Sequence, residues 1–497
     1  MGLTESEQPI WGCFLQPEHG ASGGHSMDEP RLETLLREVA AIAARRRADA
    51  AHCPHRPDRT YDDLRSRFLG AMPDDGVSAE EVIGDLAARV EGGLANMTGP
   101  RFFGWVIGAS APAGLAADWL TSAWGQNAAN ALATPAASAC EEVVGRWLLE
   151  LMDLPRECSV GLVTGGTMAN FTCLAAARGE VLRAAGWDVE AEGLFGAPPI
   201  NVVLGEEAHS TVFSALRYLG LGARRVVPVA CDNQGRIRSD AFARAMKVAG
   251  GPTIAIAQAG HINSGAFDPF MEVAQECREK GAWLHVDGAF GLWALAVPQL
   301  AHLTQGLALA DSWGADGHKW LQTPHDCGYA IVRNAAAHRS AMLIAASYLP
   351  EGQERHPADY VPELSRRARA FSTWAMLRNL GRNGLGALVN RHCALARRMA
   401  ERLSAAPDVE ILNDVVLNQV AVRLGADMDG EASDDLTEKT IARIQRDGVC
   451  FVGGADWRGR RIVRISVIGA NTTEADIDLS AEAILKAWRE EKSAVRR

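Results

Sequence analysis

The sequence predicts an α/β protein with a large domain built on a mainly parallel β-sheet and a smaller α+β domain after it. Three observations predict this fold. Between about residues 100 and 335, short apolar runs alternate with helical stretches, which is typical of β-α units. The runs are apolar throughout, as expected for strands that are covered by helices on both faces. From about residue 376 onward, helical and strand patterns are mixed.

The seven predicted strands of the large domain are the apolar runs at 161–164, 201–205, 225–229, 253–257, 283–287, 308–312 and 328–333. The predicted helices between them lie at 168–185, 210–219, 239–249 and 269–280. In the small domain, the pattern predicts helices at 379–398 and 473–490 and strands at 409–412, 419–424 and 461–466. Ligands of such sheets bind at the carboxyl ends of the strands, so the polar residues just after each run are the first candidates for a site.

Two helices are predicted before the sheet. At 30–47 the leucines have helical spacing, and at 78–97 Ser78 can cap a helix whose first turn contains Glu80 and Glu81. They are expected to form an N-terminal arm that lies against a larger body. The predicted division is therefore an arm at 1–99, a large domain at 100–375 and a small domain at 376–497.

Composition and charge restrict the class of function. The 497 residues are 47% hydrophobic and 22% charged, as in ordinary globular proteins. The net charge is −11, because 61 acidic residues outnumber 50 basic ones. An acidic chain is not expected to bind nucleic acid or an anionic membrane, since both need a basic surface. We therefore expect a small-molecule partner.

Location and metal content are predicted from what the sequence lacks. No run of 18 apolar residues predicts a membrane-spanning helix, and the N-terminus does not resemble a secretory signal. The ten cysteines are scattered without a C-x-x-C pair, which favours reduced thiols and gives no support for a zinc site. We expect a cytoplasmic protein without a metal.

A glycine turn after the first strand is a candidate phosphate site. Gly165, Gly166 and Thr167 lie between a strand and a helix, where free backbone N–H groups can hold an anion and the threonine can add a hydroxyl. An ordinary β-α turn would have the same pattern. The segment matches neither a Walker loop nor a dinucleotide fingerprint, which argues against a nicotinamide dehydrogenase.

Two further candidates follow strands. His209 comes after the second strand, and Asp287 ends the fifth strand in the segment His-Val-Asp-Gly-Ala. A buried carboxylate is costly without a cationic partner, which makes Asp287 a candidate for binding a cation. The alternatives are a structural histidine and a cap for the next helix.

Lys319 is the candidate nucleophile. It lies between His318 and Trp320 in the core region, and a partly desolvated lysine has a lowered pKa and attacks carbonyls readily. Tyr348 lies on a later loop; its alternative is a packed aromatic side chain. A phosphate turn, an acid and a lysine are together what pyridoxal phosphate needs, because the cofactor binds through a Schiff base, a partner for its pyridine nitrogen and a phosphate site.

The sequence resembles the group II pyridoxal-phosphate-dependent amino acid decarboxylases, which include aromatic amino acid and glutamate decarboxylases. The resemblance extends from about residue 100 to 369 and is carried by His-Val-Asp-Gly-Ala at 285–289, His-Lys-Trp at 318–320 and Pro-His-Asp-Cys-Gly at 324–328. It implies a fold-type I enzyme with a seven-stranded large-domain sheet. It also implies decarboxylation of an L-amino acid to the amine and carbon dioxide, in a homodimer with the active site at the interface.

The resemblance also implies the catalytic roles. Lys319 would form the Schiff base with pyridoxal phosphate, and Asp287 would pair with the pyridine nitrogen. Ala289 would lie against one face of the ring and His209 would stack on the other. Tyr348 falls where the family has a tyrosine linked to protonating the substrate Cα after carbon dioxide leaves.

The phosphate would be held by Gly166 and Thr167 with help from His318. Asp316 departs from this pattern, because many relatives have Asn or Ser at that position and an ionised carboxylate would repel the phosphate. We therefore expect Asp316 to point elsewhere or to be held by a donor. Trp105 would supply an aromatic wall of the substrate pocket and Asn127 a polar contact, unless these two residues only pack the dimer.

Two other functions stay open at this point. Another pyridoxal-phosphate reaction on the same fold, such as that of an aldolase, a desulfurase or an aldehyde synthase, is the main alternative; Tyr348 favours plain decarboxylation over the last. A non-catalytic homologue would be expected to lack Lys319 or Asp287, and both are present.

Overall fold

The computed structural model of the protein describes residues 29–344 and 354–495. Over these residues the chain forms a seven-stranded sheet and a four-stranded sheet, with helices packed on both. The predicted α/β fold with a mainly parallel large sheet is confirmed. None of the helices in this part of the chain is long and apolar enough to cross a bilayer.

Three helices precede the first sheet: α1 (Glu29–Ala48), α2 (Tyr61–Phe68) and α3 (Ala79–Val90). The predicted helix at 30–47 is confirmed. The prediction at 78–97 is wrong at its end, because α3 stops at Val90 and Gly92 follows with a φ of +74°. Helix α2 was not predicted, since it buries no residue and so shows no apolar stripe.

The large sheet comprises β1 (Ser159–Val163), β2 (Asn201–Gly205), β3 (Val227–Val229), β4 (Thr253–Gln258), β5 (Trp283–Asp287), β6 (Ser312–Asp316) and β7 (Gly328–Val332). The strand order is β1-β7-β6-β5-β4-β2-β3, and only β7 runs antiparallel to its neighbours. Strands β4, β5 and β6 are adjacent and parallel, so their carboxyl ends meet at one edge of the sheet.

Nine helices of the described chain follow in sequence up to the second sheet: α4 (Pro112–Trp124), α5 (Pro135–Leu151), α6 (Gly166–Ala184), α7 (Val189–Glu192), α8 (Ser210–Tyr218), α9 (Ser239–Val248), α10 (Phe270–Lys280), α11 (Ala335–Met342) and α12 (Ala370–Ser404). They cover both faces of the large sheet. In β4, Ile254 and Ile256 belong to one hydrophobic cluster and Ala255 and Ala257 to another, so alternate side chains pack on opposite layers.

The predicted position of the sixth strand is wrong. The apolar residues Leu307–Leu309 form a 3₁₀ turn whose first residue is buried in the core, and the strand itself is Ser312–Asp316. Its sequence, Ser-Trp-Gly-Ala-Asp, contains residues with low strand propensity, but pairing with β5 and β7 outweighs that preference. Asp316 is therefore the last residue of β6 and lies at the carboxyl edge of the sheet.

The second sheet is antiparallel, in the order β10-β11-β9-β8. Its strands are β8 (Val409–Ile411), β9 (Gln419–Leu424), β10 (Gly453–Trp457) and β11 (Arg460–Ser466). Helix α13 (Gly430–Asp447) packs on this sheet, and α14 (Glu474–Val495) packs on α12 and α13. Helix α12 runs through the predicted domain boundary at 375/376 and contains Gly381 with a φ of +60°. The boundaries at 99/100 and 375/376 stay predictions.

Candidate active site

The candidate residues lie at the carboxyl edge of the large sheet. Asp287 is the last residue of β5 and Asp316 the last residue of the adjacent β6, with Lys319 three residues further on. The glycine turn that begins α6 follows β1 and contacts the end of β6. The fold thus brings Gly166 and Lys319 to the same edge of the sheet, although these two residues are more than 150 positions apart in sequence.

Lys319 is largely buried and paired. Its Nζ lies 2.8 Å from Oδ2 of Asp316 and 5.9 Å from the centroid of the Phe290 ring, and the side chain is 16% exposed. The pairing with Asp316 was not predicted. A lysine at this depth is not a solvent-exposed surface amine, which is the usual environment of a lysine side chain.

Gln322 holds the loop that carries the lysine. Its Nε2 donates to the carbonyl oxygens of Lys319 (3.0 Å) and Ile468 (2.9 Å), and its Oε1 accepts from the N–H of Ala109 (2.7 Å). Gln322 is fully buried and has a φ of +60°, a conformation that persists only where the surroundings enforce it. The loop is therefore fixed between the second sheet and the segment that contains Trp105.

Asp287 is a buried carboxylate with no ion pair among the described residues. It is 6% exposed, and its Oδ1 accepts a hydrogen bond from the N–H of Ala289 at 3.2 Å. An ionised carboxylate in this setting is costly without a cation. The position therefore fits a ligand that brings a positive charge, such as a protonated pyridine nitrogen.

His209 lines a narrow cavity together with Asp287. Its Nδ1 accepts hydrogen bonds from the hydroxyl (2.8 Å) and the N–H (3.3 Å) of Thr211, so the ring also caps α8. Burial lowers the pKa of His209, and the opposing attraction of Asp287 does not offset it. The imidazole is consequently neutral near pH 7. A neutral imidazole is compatible with the predicted stacking of His209 on the cofactor ring.

The glycine turn contacts both Asp316 and His318. Gly165 has a φ of +151°, and the N–H of Gly166 donates to Oδ1 of Asp316 at 2.5 Å. Nδ1 of His318 lies 2.8 Å from the carbonyl oxygen of Cys327 and 3.7 Å from Oδ1 of Asp316. Of the two positions expected for Asp316, the structure shows the second: the carboxylate is held by donors.

Ala289 and Thr167 adjoin this turn. The carbonyl oxygen of Ala289 accepts from the N–H of Asp316 at 2.9 Å, and a Cβ placed on Gly166 would lie 3.5 Å from the Cβ of Ala289. Thr167 is in the first turn of α6, where backbone N–H groups have no acceptor within the helix. Its hydroxyl forms no hydrogen bond within the described chain, so it is available to a ligand.

The two substrate-pocket candidates differ in their surroundings. Trp105 is half-exposed and stacks on Phe451 with ring centroids 5.8 Å apart. Its segment is attached to the lysine loop, because the N–H of Gly108 donates to the carbonyl oxygen of His318 at 2.9 Å. Asn127 instead uses its Oδ1 to accept from the N–H of Arg366 at 3.0 Å. A substrate contact by Asn127 stays a prediction, as does the role of Tyr348, which lies outside the described residues.

Arg464 is a residue that sequence reasoning missed. Its Nε is buried without a hydrogen-bond partner, and no ion pair of the guanidinium forms within residues 29–344 and 354–495. Burial lowers its pKa, and its positive charge helps to lower the pKa of His209. The only sequence signal was an arginine inside the apolar strand β11.

Comparison with known proteins identifies the family. The conserved domain of the pyridoxal-dependent decarboxylases matches residues 62–425. The chain belongs to this family. As a pyridoxal-dependent decarboxylase it has pyridoxal phosphate as the cofactor of its family, which agrees with the expectation from Lys319 and Asp287.

Several relatives of this decarboxylase are known. It is 26% identical to the aromatic-L-amino-acid decarboxylase of Bacillus atrophaeus, over 87% of this chain and 90% of that protein. It is also 26% identical to the 4-hydroxyphenylacetaldehyde synthase of Rhodiola rosea, over 93% of this chain and 96% of that protein. The relatives therefore include enzymes with two different products.

The fold agrees with that of solved structures. The crystal structure of Oryza sativa TDC with PLP and tryptamine superposes with a TM-score of 0.87, covering 94% of this chain and 99% of that one at 22% identity. Mouse CSAD superposes with a TM-score of 0.85, covering 92% and 98% at 22% identity. At this identity the likeness supports the fold-type I architecture and does not extend to the substrate.

Proposed function

We propose that the protein decarboxylates an L-amino acid to its amine and carbon dioxide, with pyridoxal phosphate held at Lys319. The observation that carries this proposal is the convergence of three features at one edge of the sheet: a largely buried lysine, a buried carboxylate with no ion pair to the part of the chain that the structure describes, and a glycine turn. When bound, the cofactor supplies a ring that accepts the electron pair left on the substrate Cα as carbon dioxide departs.

Each residue near the ring has a separate task in this proposal. Lys319 would hold the cofactor at its aldehyde group through Nζ. Asp287 holds a proton on the pyridine nitrogen, since a nearby opposite charge raises a pKa by about 1–3 units. Neutral His209 and the small Ala289 confine the two faces of the ring. Gly166, Thr167 and His318 hold the phosphate at the start of α6.

Arg464 is proposed to bind the substrate carboxylate. Its Nε is buried without a hydrogen-bond partner and its guanidinium forms no ion pair within the described residues, so a substrate carboxylate would supply a negative charge and hydrogen-bond acceptors. Trp105 and Phe451 form an aromatic surface next to the lysine loop. Together with the names of the relatives, this surface supports an amino acid with an aromatic side chain as the substrate class.

An aldehyde-forming reaction is the second candidate, because relatives with aldehyde synthase activity match most of the chain. We propose that Tyr348 protonates the substrate Cα and so directs the reaction to the amine. Without this proton, the amino acid would react with one molecule each of oxygen and water, and the products would be the aldehyde, ammonia, carbon dioxide and hydrogen peroxide.

A homodimer in the cytoplasm is proposed as the working form. Large apolar side chains are exposed on the N-terminal arm and around α4, including Leu36 (56%), Leu86 (48%), Trp124 (52%) and Leu132 (77%). Exposed apolar side chains mark an interface between proteins where they form a contiguous patch. The described cysteines are all free thiols, which fits a reducing compartment. Light scattering coupled to gel filtration should give twice the chain mass.

The reaction is tested by incubating the holoenzyme with single L-amino acids and measuring carbon dioxide, amine, aldehyde and hydrogen peroxide. We expect equal amounts of carbon dioxide and amine from an aromatic amino acid. Aldehyde with hydrogen peroxide in place of the amine would support the second candidate. No carbon dioxide from any of the protein amino acids would contradict both.

A further inference from the structure

A carboxylate lies in the proposed phosphate cradle. Oδ1 of Asp316 accepts the hydrogen bond of Gly166 N–H at 2.5 Å, while Oδ2 lies 2.8 Å from Nζ of Lys319. Cβ atoms placed on Gly165 and Gly166 would lie 3.2 Å and 2.9 Å from the two carboxylate oxygens. The space that the two glycines leave open is therefore used by Asp316.

The same donors are needed for the cofactor. A phosphate at the start of α6 takes the first free N–H groups of the helix, and Gly166 N–H is the first of them. Asp316 is 2% exposed, so little water screens its charge from an incoming phosphate. The carboxylate and the phosphate are two anions that compete for one hydrogen-bond donor.

We propose that Asp316 is a built-in competitor of the cofactor phosphate and thereby limits the affinity of the protein for pyridoxal phosphate. This inference rests on the proposed phosphate cradle at Gly166 and Thr167. Binding of the phosphate requires the carboxylate to give up Gly166 N–H, and the same movement frees Lys319 from its ion pair. Cofactor affinity is then set by Asp316 as well as by the residues that hold the phosphate.

Comparison of two ligands separates these effects. Pyridoxal has the aldehyde and the ring but no phosphate. The substitution Asp316→Asn can therefore change the affinity for pyridoxal only through the ion pair with Lys319. The dissociation constants of pyridoxal phosphate and pyridoxal are measured by visible absorbance on the cofactor-stripped full chain and on Asp316→Asn. We expect Asp316→Asn to tighten pyridoxal phosphate about tenfold or more and to raise its affinity ratio over pyridoxal by a similar factor.

The matched control removes a carboxylate that lies just before the start of strand β6, at the opposite end from Asp316. Asp311, just before β6, accepts a hydrogen bond from the N–H of Leu284 at 2.8 Å and lies away from the cradle. Asp311→Asn should leave the affinity ratio within about twofold of the parent value. Asp316→Ser serves as a second variant if Asp316→Asn does not fold, and the same increase in ratio is expected for it.

Inorganic phosphate gives a readout without the cofactor. It should raise the unfolding temperature of the cofactor-stripped Asp316→Asn protein more than that of the parent, because ligand binding to the folded state stabilises it. An unchanged affinity ratio, weaker binding of pyridoxal phosphate by both variants, or equal tightening of both ligands would overturn the inference. If pyridoxal phosphate gives no visible band with the parent protein, the proposed function fails instead.

Discussion

Lys319 Nζ and Asp316 Oδ2 lie 2.8 Å apart, with Asp316 as the last residue of strand β6 and Lys319 on the turn that follows it. The pair places the candidate nucleophile and a carboxylate at the same edge of the sheet as Asp287, the last residue of the neighbouring strand. Asp316 pairs with Lys319, whereas Asp287 has no cationic partner within residues 29–344 and 354–495, so the two acids have different tasks. Asp316 acts on the lysine, and Asp287 remains available for the cofactor ring.

Asp287→Asn should lower kcat by about 10- to 1000-fold, because the pyridine pKa falls by about 1–3 units when the negative charge is lost. The cofactor should still bind to Lys319 and give a visible band. Steady-state rates and absorption spectra of the same preparation check both parts. A variant with the parent kcat would contradict the pairing of Asp287 with the ring nitrogen.

Arg464→Met should raise KM for the amino acid about 10- to 100-fold, since a charge-assisted hydrogen bond contributes about 1.5–3 kcal/mol. Affinity for pyridoxal phosphate should change little. Arg461→Met is the control, because Arg461 is on the same strand but pairs with Glu438 near the surface. An unchanged KM in Arg464→Met would exclude Arg464 as the carboxylate site.

Tyr348→Phe should shift the products from amine toward aldehyde and hydrogen peroxide, because the phenolic proton is no longer available to the substrate Cα. Product analysis under air and under nitrogen measures the shift, and the oxygen-dependent products should disappear under nitrogen. Tyr360→Phe is the control, since Tyr360 packs 4.4 Å from the Arg355 guanidinium, a contact with no part in the proposed chemistry. Parent rates of amine formation in Tyr348→Phe would exclude Tyr348 as the proton donor.

His392 makes the stability of the protein dependent on pH. Its Nδ1 accepts from Trp320 Nε1 at 2.9 Å and its Nε2 donates to the carbonyl oxygen of Gly469 at 3.0 Å, and burial lowers its pKa from 6.5 to about 3. Below pH 6.5 the unfolded chain binds a proton that the folded chain does not. The folded state therefore loses about 1.4 kcal/mol per pH unit from this site as the pH falls from 6.5 toward 3.

His392→Gln removes this titrating group while an amide oxygen can still accept from Trp320. The variant should be less stable than the parent at pH 8, and the difference in unfolding temperature should shrink as the pH falls to 5. Scanning calorimetry at a series of pH values measures it. A difference that stays constant over this range would show that His392 is not kept neutral by burial.

The strands with continuous apolar runs could be predicted from the sequence because their burial on both faces leaves a clear pattern. Strand β2 lies where it was predicted, and β5 ends at Asp287 as expected. Strand β6 was misplaced because the most apolar residues nearby, Leu307–Leu309, form a turn, and its pairing with β5 is a tertiary effect. Sequence patterns report burial and do not report which strands pair.

The residues of the candidate site were chosen from their chemistry and their position after strands, and the resemblance supplied their roles. Their contacts could not be predicted in the same way. The unbonded Nε of Arg464 among the described residues and the position of Asp316 over Gly166 depend on how distant parts of the chain assemble, since Gly166 in α6 and Asp316 in β6 are 150 positions apart. Both become visible only when the strands are assembled.

The central claim is that the amine of Lys319 binds the cofactor. Its most direct test is the visible spectrum of the purified protein saturated with pyridoxal phosphate, compared with that of Lys319→Ala, followed by borohydride reduction and peptide mapping. We predict a visible band that is absent from Lys319→Ala, and a reduced cofactor attached to the peptide that contains residue 319. An unchanged band in Lys319→Ala, or a label on a different lysine, would contradict the claim.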